Sequence, residues 1–166
     1  MPSLSTEPLP ASEAACVFCQ RVRTVDTFRD LVVFESDAFL ASHQLGEDGT
    51  KALGLLHVQT KRHVPSLGQL NAGEADGLGT LLASLSQVLE SRTGAPWTYC
   101  FGFNEGPRHV HLVLGSRYAS LPEPYWRLKF AEWPEAPRGD RVQIAALCRS
   151  LREDLARRGS PPAGPA

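Results

Sequence analysis

Two cysteines separated by two residues, Cys16 and Cys19, form the first pattern in this sequence that could support chemistry. Both thiols of the run Cys-Val-Phe-Cys can reach one tetrahedral zinc ion, which then needs two more ligands from elsewhere in the chain. Redox motifs use the same spacing, but they begin a helix that follows a strand, whereas this pair follows a segment with the composition of a disordered tail. The pair therefore predicts zinc binding, with redox chemistry or two incidental small residues as the alternatives.

Three of the five histidines lie where functional side chains are common. His63 lies where a predicted strand leaves the sheet, although a solvated basic turn would look the same. His109 and His111 are two residues apart on another predicted strand, so their imidazoles lie on one face. They can act at one site, and a solvated surface pair is the alternative.

Short apolar runs and one helical period predict the elements that position these residues. A capping-box pattern at Asn71 to Glu74 begins a long helix that stops at Gly94, and Asp140 caps a final helix with one apolar stripe. Strands are expected at 31–35, 38–42, 53–59, 97–103 and 109–114. The order of strands, helix, strands and helix predicts an α+β fold with an antiparallel sheet.

The composition describes one globular domain, since the 166 residues are 42% hydrophobic and 21% charged, with a net charge of -1. This charge balance argues against nucleic acid as a partner, and no apolar run is long enough to span a membrane. Flexible tails are expected at 1–14 and 159–166 around a domain at 15–158. The N-terminus lacks the features of a secretory signal, so a cytoplasmic location is expected.

From Cys16 to about Tyr118, the sequence resembles the histidine-triad superfamily. The resemblance rests on the Cys-x-x-Cys opening, the strand that runs into 61–67, the capped helix and the late His-x-His strand. It implies a histidine-triad-like antiparallel sheet with a long helix and a C-terminal helix. Residues 125–139 also resemble a C-terminal extension found in a bacterial branch of the superfamily.

The superfamily signature has three alternating histidines, and this chain has two. In one register, His109, His111 and Val113 occupy the three positions; in the other, Pro107, His109 and His111 do. We favour the first register because it completes a metal site. By resemblance to zinc-bearing members and to hexose-phosphate uridylyltransferases, a closed Cys₂His₂ zinc site is expected from Cys16, Cys19, His63 and His109.

The same resemblance implies that His111, with His109 beside it, carries the catalysis. A neutral imidazole at His111 would attack an α-phosphate and form a nucleotidyl-histidine intermediate, which water would resolve. Val113 cannot donate a hydrogen bond to a phosphate oxygen or leaving group, and the loss of one such donor typically costs about a hundredfold in rate.

The expected ligand is a small nucleotide. His43 resembles a residue near the nucleoside side of the pocket, and Asn104 and Glu105 could contact ribose or phosphate; a surface histidine and a polar turn are the alternatives. The implied function is hydrolysis of a nucleoside phosphate bond in a dinucleoside polyphosphate or a nucleotide phosphoramidate. The alternatives are a catalytically weakened nucleotide-binding or regulatory protein and a nucleotidyltransferase. The resemblance also implies a homodimer formed through the long helix and the neighbouring strand.

Overall fold

The computed structural model describes residues 15–103 and 108–159. Asn104 and Glu105 therefore lie outside the described residues, as do 1–14 and 160–166 of the two expected tails. The elements, in chain order, are α1 (Val17–Arg23), β1 (Val32–Glu35), β2 (Phe39–His43), β3 (Thr50–Ala52), β4 (Leu55–Thr60), α2 (Ala72–Thr93), β5 (Trp97–Phe101), β6 (His111–Arg117), β7 (Arg138–Asp140) and α3 (Arg141–Arg158). Short 3-10 segments lie at Val25–Leu31, Leu67–Gln69, Glu123–Tyr125 and Arg127–Glu132.

The main sheet has five antiparallel strands in the order β1-β2-β4-β6-β5. This arrangement confirms the α+β fold expected from the sequence. The two strands that carry the candidate histidines, β4 and β6, lie side by side near the middle. Their register places Gln59 opposite His111 and His57 opposite Val113.

Both long helices pack on one face of this sheet and form the main core with it. The predicted capping box of α2 is confirmed, because the Asn71 side chain accepts from the backbone N–H of Glu74 and the Glu74 carboxylate accepts from that of Asn71. The predicted cap of α3 is also present, with the Asp140 carboxylate accepting from the backbone N–H of Gln143. In the described part of the chain, no helix combines the length and apolar character needed to cross a membrane.

The opposite face of the sheet is covered at one end by α1 and at the other by the extension that follows β6. The Phe130 ring of this extension lies directly over Gly115, where an added Cβ would come within 2.2 Å of it. The extension then forms β7, which pairs with β3 in a separate two-stranded sheet. The sequence patterns predicted none of α1, β3 or β7.

Candidate metal centre and active site

Two cysteines and two histidines form a compact cluster at the start of α1. Their four ligand atoms all lie within 4.8 Å of one another. The Cys16 Sγ is 3.4 Å from His109 Nδ1, and the Cys19 Sγ is 3.2 Å from His63 Nδ1 and 3.5 Å from His109 Nδ1. Sulfur and nitrogen ligands of one tetrahedral zinc ion lie roughly 3.5 Å apart, given the usual Zn–S and Zn–N bond lengths. The donor set and its spacing therefore fit zinc.

Backbone pairing beyond the ends of β4 and β6 brings the two histidines of the cluster together. The N–H of Val110 donates to the carbonyl oxygen of Val64 at 2.7 Å, and the N–H of Thr60 donates to that of Val110 at 3.2 Å. His63 and His109, each adjacent to one of these residues, consequently lie with ring centroids 5.4 Å apart.

The ring orientation of His109 is fixed by a buried hydrogen bond. Its Nε2 lies 2.7 Å from the carbonyl oxygen of Thr60, and the ring is 0% exposed. Because a carbonyl oxygen can only accept, the proton is on Nε2 and the lone pair of Nδ1 points toward the two thiols. A hydrogen bond from one ring nitrogen to a backbone carbonyl is common in metal-binding histidines, where it orients the other ring nitrogen toward the metal.

His111, the other histidine of the pair, presents the opposite ring nitrogen. Its Nδ1 lies 2.8 Å from the carbonyl oxygen of His109, so the neutral ring carries its proton on Nδ1 and its lone pair on Nε2. The Phe18 ring stacks on it with centroids 4.1 Å apart and planes 24° apart. Phe18 is held in turn by Gln59, whose side-chain amide donates to its carbonyl oxygen at 2.8 Å. The Cys-x-x-Cys segment therefore carries both thiols of the cluster and the ring that packs against His111.

The structure adds His57, which the sequence analysis did not consider, to this face of the sheet. Its ring centroid is 6.2 Å from that of His111, with the planes at 87°, and 5.8 Å from that of Phe18. Burial, together with the nearby Arg21 cation, lowers the pKa of His57 to about 3. One sequence signal was available: His57 and Gln59 are polar residues two apart in an otherwise apolar strand, which places both on one face.

A cation lies beside His57. The Arg21 side chain donates from Nη2 to Ser42 Oγ at 2.7 Å, and its guanidinium lies 4.6 Å from the centre of the Phe28 ring. Ser42 is the cross-strand partner of His57 in β2. Arg21, which α1 also carries, therefore supplies positive charge to the same face as His111.

The structure places His43 in the interior, where its ring is 1% exposed. Its Nδ1–H donates to the carbonyl oxygen of Gln44 at 2.5 Å, and its Nε2 accepts from the N–H groups of Gly54 and Leu55 at 3.0 and 3.3 Å. Burial lowers its pKa to about 4. Because the backbone occupies both ring nitrogens, His43 joins the end of β2 to the start of β4 and is not part of the site proposed below.

Comparisons with solved structures identify the fold. A zinc-bound histidine-triad family protein from Mycobacterium smegmatis is 20% identical, with a TM-score of 0.61 over 90% of this chain and 99% of that one. A HIT-like protein involved in cell-cycle regulation from Bartonella henselae is 14% identical, with a TM-score of 0.63 over 87% and 100%. The diadenosine triphosphate hydrolase of Plasmodium falciparum is 10% identical, with a TM-score of 0.56 over 80% of each chain.

No protein-family profile matches the chain, and no curated protein sequence does. The structural matches show the fold at low sequence identity, and they confirm at that level the resemblance drawn from the sequence. The chain has the histidine-triad fold.

Proposed function

We propose that this chain, with its histidine-triad fold, binds a nucleotide and hydrolyses a nucleoside phosphate bond through a covalent intermediate on His111. The hydrogen bond from His111 Nδ1 to the carbonyl oxygen of His109 carries this proposal, because it leaves the lone pair on Nε2, where a nucleophile needs it. Phe18 supports the proposal by fixing the plane of the attacking ring. Dinucleoside polyphosphates and nucleotide phosphoramidates are the proposed substrate classes.

The reaction proceeds in two displacements at the α-phosphorus. The Nε2 lone pair of His111 forms a bond to phosphorus while the bond to the leaving group breaks. The leaving group keeps the bonding electrons and takes a proton from water. A water molecule then attacks phosphorus, the P–N bond breaks with its electrons returning to Nε2, and the proton released by that water balances the first. The net result is one nucleoside monophosphate and one protonated leaving group for each water consumed.

We also propose that Cys16, Cys19, His63 and His109 hold one structural zinc ion. Bound zinc would supply no reacting group; it would fix α1 and the start of β6 to each other. His109 lies two residues before His111, and Phe18 lies between the two cysteines, so both contacts that orient the nucleophile adjoin a metal ligand. Zinc binds thiolates and not a disulfide, so a reducing compartment favours this site, in agreement with the expected cytoplasmic location.

A second candidate function is nucleotide binding with little turnover. Val113 favours it, because this apolar residue packs against the aromatic cluster of the extension and offers no hydrogen bond to a phosphate. Measured turnover of an adenylyl substrate distinguishes this candidate from the hydrolase.

Substitution of each histidine of the pair tests the proposal. His111→Ala is expected to abolish hydrolysis of adenosine 5′-phosphoramidate with zinc content unchanged, since it removes the proposed nucleophile but none of the four proposed zinc ligands. Loss of the stacking contact with Phe18 should lower the melting temperature only slightly. His109→Ala is expected to release zinc. Intact-protein mass spectrometry and peptide mapping of the quenched wild type should locate the adenylyl group on His111.

An adenylyl group on His109 would contradict the proposed roles of the two residues. Turnover with no adenylyl-histidine, or full activity of His111→Ala, would contradict the mechanism. In phosphate buffer, formation of ADP beside AMP would show that phosphate competes with water as acceptor and that the protein acts as a transferase.

We further propose a homodimer formed through α2 and β5. β5 is an edge strand of the sheet, and Trp97 on it is 48% exposed. An edge strand has unpaired backbone groups that a second copy can bind.

A further inference from the structure

Two residues that lie near each other in space, one on α1 and one on β4, each have a buried nitrogen atom with no hydrogen-bond partner among the described residues. These atoms are Nδ1 of His57 and Nε of Arg21. An unsatisfied buried polar atom costs about 1–3 kcal/mol, so native proteins keep few of them, and each one that persists calls for an explanation such as a catalytic role.

His43 provides a contrast within the same chain. This buried histidine, which has a packing role, binds backbone through both ring nitrogens. His57 is only half-buried, lies beside the proposed nucleophile and leaves a ring nitrogen unsatisfied. A purely structural histidine would be expected to resemble His43.

The strand register places His57 where the site lacks a hydrogen-bond donor. His57 is the direct cross-strand partner of Val113, the apolar residue two positions after His111. Directly paired residues of an antiparallel sheet have Cα atoms only about 4.5–5.5 Å apart, so a side chain on β4 can reach the space beside Val113. The rings of His57 and His111 are 6.2 Å apart, close enough for both to contact one phosphoryl group.

We propose that His57 is a further catalytic residue of this site, whose imidazole donates a hydrogen bond to an oxygen of the phosphoryl group that His111 attacks. The proposal rests on the function proposed above. His57 supplies from β4 the donor that Val113 cannot supply from β6. It transfers no proton: its N–H stabilises charge that develops on the phosphoryl oxygens.

The charge state of His57 agrees with this role. Its pKa of about 3 keeps the ring neutral near pH 7, with one N–H donor and one lone pair. Arg21 contributes both to this low pKa and to the attraction of a phosphate, because its cation disfavours a second positive charge and favours an anion.

The test compares four proteins with adenosine 5′-phosphoramidate: wild type, His57→Leu, His57→Gln and the swap His57→Val with Val113→His. His57→Leu is expected to lower kcat about a hundredfold, with a smaller change in KM, since the lost donor acts mainly in the transition state. His57→Gln keeps an N–H donor and should retain more activity than His57→Leu. The swap places an imidazole in the same space from β6, and its kcat should be at least about tenfold higher than that of His57→Leu.

A matched control is Thr98→Val. The Thr98 hydroxyl is also buried without a partner among the described residues, but it projects from the opposite face of the sheet. This variant should turn over substrate like wild type. Zinc content and melting temperature of every variant separate a catalytic loss from a folding defect.

The outcomes separate this inference from the proposed function. If wild type turns over substrate through adenylyl-His111 and His57→Leu stays within threefold of it, the proposed role of His57 is wrong and the function stands. The role is also wrong if His57→Gln and the swap are as inactive as His57→Leu while remaining folded and zinc-loaded. If wild type neither turns over substrate nor becomes adenylylated, the proposed function fails, and the role of His57 with it.

Discussion

The Nε2–H of His109 donates to the carbonyl oxygen of Thr60, and the Nδ1–H of His111 donates to the carbonyl oxygen of His109. These two backbone acceptors select opposite tautomers for histidines only two residues apart. His109 therefore directs Nδ1 to the thiols, and His111 keeps its lone pair on Nε2. Two residues of one type thus present different ring nitrogens because they contact different backbone atoms.

The burial of His43 predicts how the stability of the folded protein depends on pH. Its pKa is about 4 in the folded protein and near the ordinary 6.5 in the unfolded chain. As the pH falls below about 6.5, the unfolded chain binds a proton at His43 that the folded protein does not bind. The free energy of unfolding therefore decreases until the pH reaches about 4. The contribution lost is on the order of 3 kcal/mol.

The measurement is chemical denaturation of wild type and His43→Gln at several pH values. The glutamine carbonyl can still accept from the backbone of Gly54, but it does not titrate, so the free energy of unfolding should depend less steeply on pH in this variant. Every other ionisable group is the same in both proteins, so the difference between the two pH dependences reports on His43. Equal slopes between pH 6.5 and 4 would contradict the structural role of His43.

At the scale of elements, α1 is a seven-residue helix that connects the proposed zinc site to the proposed active face. It is too short to be stable alone, so its position depends on tertiary contacts. The cluster with His63 and His109 anchors its first turn, and Phe18 and Arg21 extend from it toward His111 and His57. Loss of the anchor is expected to disturb both side chains.

Cysteine substitution tests this anchor. Cys16→Ser and Cys19→Ser should each remove bound zinc and lower the melting temperature by at least about 5 °C, because a structural metal contributes directly to folding free energy. Cys100→Ser is the matched control, since this cysteine is exposed and outside the cluster. Elemental analysis and thermal melting provide the measurements. Zinc-loaded variants that melt like wild type would rule out the proposed ligand set.

The extension after β6 also acts as an element of the fold. Phe130 is buried over Gly115, and its ring contacts those of Tyr99 and Phe101 on β5. Phe130→Ala should lower the free energy of unfolding by about 3 kcal/mol, as expected for a buried phenylalanine. Leu128→Ala is the matched control, because Leu128 is in the same segment and 54% exposed. Similar denaturation midpoints for the two variants would show that the extension is not docked as described.

At the scale of the whole molecule, the two faces of the sheet differ in how they are covered. α2 and α3 bury the main core on one face, and α1 and the extension leave His57 and His111 half-buried on the other. His57 and His111 thus lie on β4 and β6, two strands that are paired on both sides. Such a placement holds a site more firmly than loops would.

The proposed homodimer gives a prediction at this scale. Light scattering coupled to size exclusion should report twice the mass of one chain for wild type. Cys100→Lys places a charge on the exposed part of β5, where lysine discourages strand pairing, and should shift the mass toward that of a monomer. Cys100→Ser should remain dimeric. A monomeric wild type at micromolar concentration would contradict the proposed interface.

The sequence by itself determined the long helices and the four residues of the Cys/His cluster. α2 and α3 follow from helical period and capping residues, which act within a few positions of each other. The Cys-x-x-Cys motif and the His-x-His strand, together with the histidine-triad resemblance, predicted the four residues of this cluster. Their ligand atoms lie within 4.8 Å of one another in the structure. The catalytic assignment of His111 stays a prediction.

Only the tertiary structure decided the rest, because it depends on contacts between distant segments. The pairing of His57 with Val113 needs the register of β4 against β6, strands more than fifty residues apart. The burial of His43 depends on a turn whose amides bind its ring, and the docking of the extension depends on Gly115 leaving room for a ring. A local pattern determines an element, whereas the neighbours of a side chain depend on how the elements pack.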